Sequence, residues 1–189
     1  MNRFKQAGRC ASGVAACVVL GFGLGAQAHE PGAHVHGVAE LHVTIEGNKL
    51  DASLETPLDN VLGYEHPPRT EAEKSAAKAM AAKLRQPATS IVPDPAAGCT
   101  PASVSLVSAA IPAALLGETN AAPAAPDPDG HADLDADYAW TCTAPARLKR
   151  LDVALLKAFP GIRKLNVQVV SPGGQHATVL APGNEVVSW

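Results

Sequence analysis

The chain has 189 residues, of which 47% are hydrophobic and 17% charged, enough apolar material for one packed domain with a core. Its formal charge of −3 disfavours nucleic acid as a partner and suits cations.

The first 28 residues read as a secretory signal peptide. Arg3, Lys5 and Arg9 precede an apolar, Gly-rich run from Cys10 to Ala26 with no acid in it, and Ala26-Gln27-Ala28 supplies the cleavage signature. The run is too rich in Gly and Ala for a retained anchor, so no stable membrane insertion is expected after cleavage. Cys10 and Cys17 lie too early for a lipoprotein site. Cleavage after Ala28 leaves a periplasmic chain, 29–189, expected to form a single α+β domain. Its charge falls to −6, because three basic residues and no acid are lost. Two cysteines remain, Cys99 and Cys142. In an exported chain they most simply pair as a disulfide; the alternative, a Cys/His metal site, lacks any CxxC spacing.

Gly37 to Glu46 predicts the first strand, with Ala39, Leu41, Val43 and Ile45 on one parity. A turn at Gly47–Lys49 leads to a return strand, Leu50 to Thr56, ended by Pro57. The double proline Pro67-Pro68 makes 58–69 an irregular loop. Thr70 with Glu73 is a capping box for a helix whose apolar stripe is Ala76, Ala77, Met80, Ala81 and Leu84, and Pro87 stops it. Ser90 to Pro93 is a short strand and Ala102 to Ile111 a longer one. Residues 112–137 are expected to be a flexible Ala/Pro/Asp-rich loop. A strand from Tyr138 to Thr143, a helix from Ala146 to Ala158, and a closing hairpin of 164–170 with 176–181 complete the order. The fold expected is α+β, a mostly antiparallel sheet of about six to seven strands with two helices packed on one face.

Four of the seven histidines fall between His29 and His42. If the first strand begins as early as His34, then His34, His36, Glu40 and His42 line one face, opposite the apolar one. Imidazole with carboxylate suits zinc, copper and nickel. The plainer reading is a solvated terminus and the wet side of a strand. His29, as the mature terminal residue, offers an imidazole and an α-amine to one ion, as in copper enzymes with an N-terminal histidine. Glu65 and His66 sit in the proline-locked loop, where His66 is either a ligand or a structural histidine. Asp129, His131, Asp133 and Asp135 offer either an auxiliary zinc site or a solvated acidic linker. An EF-hand is rejected, because a proline interrupts the segment and the twelfth-position Glu is missing. His176, beside a turn, reads as structural. No G-x-S-x-G, H-E-x-x-H or P-loop occurs, so an enzyme is not expected.

Several segments together resemble a known family. They are His34-Val35-His36-Gly37-Val38-Ala39-Glu40-Leu41, then Gly63-Tyr64-Glu65-His66-Pro67-Pro68 with Thr70-x-x-Glu73, and later Tyr138-Ala139-Trp140-Thr141-Cys142, Ala158-Phe159-Pro160, Leu165-Asn166-Val167-Gln168-Val169 and Gly174-Gln175-x-Ala177. This pattern is similar to the periplasmic zinc-regulated ZrgA family and covers nearly all of the mature chain. The resemblance implies zinc binding in the periplasm, linked to zinc uptake under scarcity, without catalysis. The His/Asp/Glu-rich loop of the family is reduced here to Asp127–Asp137 with one histidine, which argues against a high zinc capacity. The expected function is zinc acquisition or homeostasis, as a scavenger or as a donor to an uptake system. The binding protein of a zinc ABC transporter is a candidate partner. Copper or nickel binding is the alternative. Imidazole binds metal in its neutral form, so affinity is expected to fall below about pH 6.5.

Overall fold

The computed structural model describes residues 35–86, 90–119 and 132–189. The proposed signal peptide, His29, His34, Asp129 and His131 lie outside them. Strand β1 (Val38–Glu46) buries alternate residues, and the two-residue Gly47-Asn48 turn returns the chain as β2 (Lys49–Pro57). Gly47 takes φ +58°, the left-handed backbone such a turn requires. Strand β4 (Cys99–Val107) pairs with β5 (Asp133–Cys142), β5 with β2, and the hairpin β7 (Lys164–Ser171) and β8 (Gly174–Leu180) joins the far side. The resulting six-stranded sheet runs β4-β5-β2-β1-β7-β8. Its pairs are antiparallel except β1 with β7, which is parallel. A second sheet contains β3 (Ile91–Pro93), β6 (Arg150–Val153) and β9 (Val186–Ser188) in the order β3-β6-β9.

The expected α+β class holds: the described residues form nine strands and four helices, mostly sheet. Of the helices, α2 (Glu71–Leu84) is the long one. Its capping box is complete, Thr70 accepting from the Glu73 amide while the Glu73 carboxylate accepts from Thr70 N at 2.9 Å. The Thr70 amide, with that of Arg69, holds the Glu73 carboxyl below its usual range. Burial separates the two faces of the large sheet. Leu41, Val43, Leu50, Leu54, Leu134, Trp140 and Val167 lie in one core with Met80 and Leu84 of α2 and Ile91, Leu151 and Val153 of the small sheet. Each buried Leu or Val of this size contributes roughly 1.5–3 kcal/mol by leaving water. Burial pushes the Tyr138 hydroxyl up to about 12, keeping it neutral, and its ring stacks on Trp140.

Three expectations are corrected. Residues 146–158 do not form one helix: a 3-10 turn at Pro145–Arg147 is followed by β6 and then α4 (Leu155–Ala158). Leu151, Val153 and Leu155 fit a period of two as well as a helical stripe, and pairing with β3 and β9 decides for strand. Loop 58–69 opens with a helical turn, α1 (Leu58–Leu62), closed by Gly63 in the left-handed region. Within 112–137, α3 (Ala113–Leu116) buries Leu116, and the acidic alternation from Asp133 is the outward face of β5 rather than linker. Among the described residues no helix is long and apolar enough to cross a membrane.

Cys99 and Cys142 face each other across β4 and β5 and form the expected disulfide. It closes a loop spanning 43 positions, which in the chain-entropy model stabilises by about 3–4 kcal/mol. Replacing both by alanine is expected to lower the unfolding free energy by about that amount in chemical denaturation, with the sheet retained.

Candidate metal centre

Gly37 decides where His36 goes. Its φ of +84° breaks the extended backbone, so β1 starts at Val38 and His36 falls out of phase with the strand. His36 therefore does not share a face with Glu40 and His42. A dense set of bonds fixes the bend. The Gly37 amide donates to Asn60 Oδ1 at 2.6 Å, and Asn60 Nδ2 donates to Val38 O at 2.8 Å and to Thr56 Oγ1 at 3.0 Å. The amides of Arg163 and Lys164 both donate to Gly37 O, and the Arg163 guanidinium donates to His36 O at 3.1 Å. A Cβ on Gly37 would collide with that guanidinium. Asn60 is itself buried on α1, with its carbonyl against Gly161 so closely that a side chain there would not fit.

The bend presents a half-exposed His36 ring between two carboxylates. Nε2 lies 2.9 Å from Glu65 Oε1, and Nδ1 lies 3.6 Å from Asp59 Oδ2. Asp59 comes from the first turn of α1, next to the Asn60 clamp, and Glu65 from the loop after Gly63. That loop is braced by Tyr64, whose hydroxyl donates to Glu73 O and whose ring stacks on His66 at 4.7 Å. His66 turns Nδ1 to Pro67 O at 3.0 Å, and its ring belongs to the brace.

The other predicted residues are placed separately. The Glu40 carboxylate accepts from Asn166 Nδ2 at 2.6 Å. His42 stands half-buried on the open face of the sheet, in a shallow hollow with Asp51, Ser53 and Asp137, where Ser53 Oγ donates to Asp137 at 2.6 Å. Asp133 opens β5 opposite Pro57. His176 is exposed on β8. A cleft of about 480 Å³ lies beside Ile45, Leu148, Pro172 and Trp189, and none of the predicted ligands lines it.

Among the described residues no three His, Cys, Asp or Glu converge on one point. Around His36 the reason is geometric, since the two carboxylates address opposite nitrogens of one ring. That arrangement still fits a metal. Two donors each about 2.0–2.1 Å from a tetrahedral ion sit roughly 3.3 Å apart, a few tenths of an ångström beyond the present His36–Glu65 contact. Asp59 would then be the outer carboxylate that fixes the tautomer of the ligating ring.

The family model for zinc uptake proteins of the ZrgA family matches residues 33–189. The chain belongs to the ZrgA family. No curated protein matches it. The match begins just before the His36 bend and takes in α1, the Glu65 loop and the disulfide-bonded strands. Asp59, Asn60 and Arg163 were not singled out from the sequence of this ZrgA chain. The only available signal was an Asp-Asn pair following a proline, six positions before Glu65, and nothing local links it to His36.

Proposed function

We propose that this chain binds zinc in the periplasm through His36 and Glu65, with Asp59 supporting the ring, and serves zinc acquisition as a scavenger or as a donor to an uptake system. The observation that carries this reading is the His36 ring held between two carboxylates on a backbone bend pinned from three sides. Membership of a zinc uptake family supports the choice of metal. The remaining coordination positions are left to water. Export rests on the signal-peptide pattern, and a donor role names the binding protein of a zinc ABC transporter as receiver. The site is a binder: an imidazole and two carboxylates without a paired nucleophile hold a borderline cation.

By the Irving–Williams order the same donors hold Cu(II) more tightly in vitro, so affinity does not decide the metal. Protein isolated from its native compartment and measured by elemental analysis is expected to carry zinc. Copper or nickel as the bound metal would overturn the assignment.

A further inference from the structure

The two edges of the large sheet are treated differently. Strand β4 is closed off. Its register shifts between Pro101 and Ser103, the Leu106 amide donates to Glu118 Oε1 at 2.9 Å, and Val104 O accepts from Arg85 Nη1 at 2.9 Å. Arg85 and Glu118 also pair with each other, so two side chains occupy that edge. Bulges, prolines and capping groups are how sheets block unwanted strand addition.

Strand β8 has no such device. From Gly174 to Leu180 it contains no proline and no Asp, Glu, Lys or Arg, whereas the four inner strands each carry at least one charged residue. It pairs only with β7, and among the described residues no side chain bonds to its outer edge between Gln175 and Val179. Every second residue of an edge strand turns its N–H and C=O outward. Among the described residues four large hydrophobic side chains are exposed, and one of them, Val179, lies on β8 itself. Val179 is 51% exposed.

We infer that β8 is an interface and that its occupant is a second copy of this chain, pairing antiparallel about a two-fold axis. Self-pairing sets each residue against the same strand, so a charged strand would repel itself. An uncharged strand with a central alanine and exposed valine is its own complement. The pairing would extend one sheet through both copies and cover Val179.

Sedimentation velocity over a dilution series tests this. The unaltered chain is expected to pass from the mass of two copies to that of one on dilution. Val179→Lys, a change at an exposed position, is expected to abolish the two-copy species with an unchanged circular dichroism spectrum. Val179→Thr should keep it. Amides of β8, and not those of β4, should exchange more slowly at high concentration. A single-copy mass at every concentration, or a two-copy mass that survives Val179→Lys, would overturn the inference.

Discussion

His36→Ala is expected to weaken zinc binding by at least about a hundredfold in a competition titration, while leaving thermal stability nearly unchanged. The two halves of that expectation have separate causes. The ring is half exposed and, among the described residues, its nitrogens meet carboxylates, so its removal opens no core cavity, and surface changes of this kind alter stability by about 0.5 kcal/mol or less. Affinity responds because the ring supplies the one described nitrogen donor of the site. Glu65→Ala should follow in the same direction, since its Oε1 lies nearest to Nε2. Asp59→Asn is expected to lose less, in the range of about ten to a hundredfold typical for outer partners of a ligating histidine. His176→Ala, exposed on β8, should bind zinc as the unaltered chain does. If His36→Ala and Glu65→Ala both retain full affinity, zinc is held elsewhere.

Asn60→Ala is expected to show the opposite pattern, with a large loss of stability and a loss of affinity that follows from it. Asn60 is buried and makes three hydrogen bonds, to the Gly37 amide, Val38 O and Thr56 Oγ1. A hydrogen bond of this sort contributes about 1 kcal/mol, and a buried group left without its partner costs more. The sum is about 3 kcal/mol, or roughly 10 °C in Tm for a domain of this size. The Gly37 bend would lose its principal anchor, so His36 would no longer be held between Asp59 and Glu65. Gly161→Ala should act through the same residue, since a new methyl would press on the Asn60 carbonyl. An Asn60→Ala variant as stable as the parent, with intact zinc binding, would show that the clamp contributes nothing to the site.

Much of the scaffold was legible from local pattern, because local chemistry settles it. The alternation of Ala39, Leu41, Val43 and Ile45 gave β1 its buried face. Thr70 and Glu73 announced the start of α2, and the two cysteines left after the proposed signal peptide announced their bond. Where the residues allowed two readings, tertiary pairing chose. The stretch around Leu151 and Val153 becomes strand because β3 and β9 flank it, and β9 is too short to announce itself. The site divides in the same way. His36 and Glu65 were visible as candidate donors. Their meeting was not, since it depends on a left-handed Gly37 and on an asparagine more than twenty positions away. The same glycine removes Glu40 and His42 from the group that strand periodicity had assembled. Asp133 belongs to β5 because acidic residues that alternate with Leu134, Ala136 and Tyr138 satisfy a half-buried strand as well as a linker.

Crystals soaked in zinc, with an anomalous difference map collected at the zinc edge, test the central claim most directly. The account predicts a peak within about 2.0–2.2 Å of His36 Nε2 and of a Glu65 carboxylate oxygen, with Asp59 drawn in on Nδ1. A map whose strongest peak sits on the open face beside His42, or that leaves His36 bonded only to its two carboxylates, would contradict it.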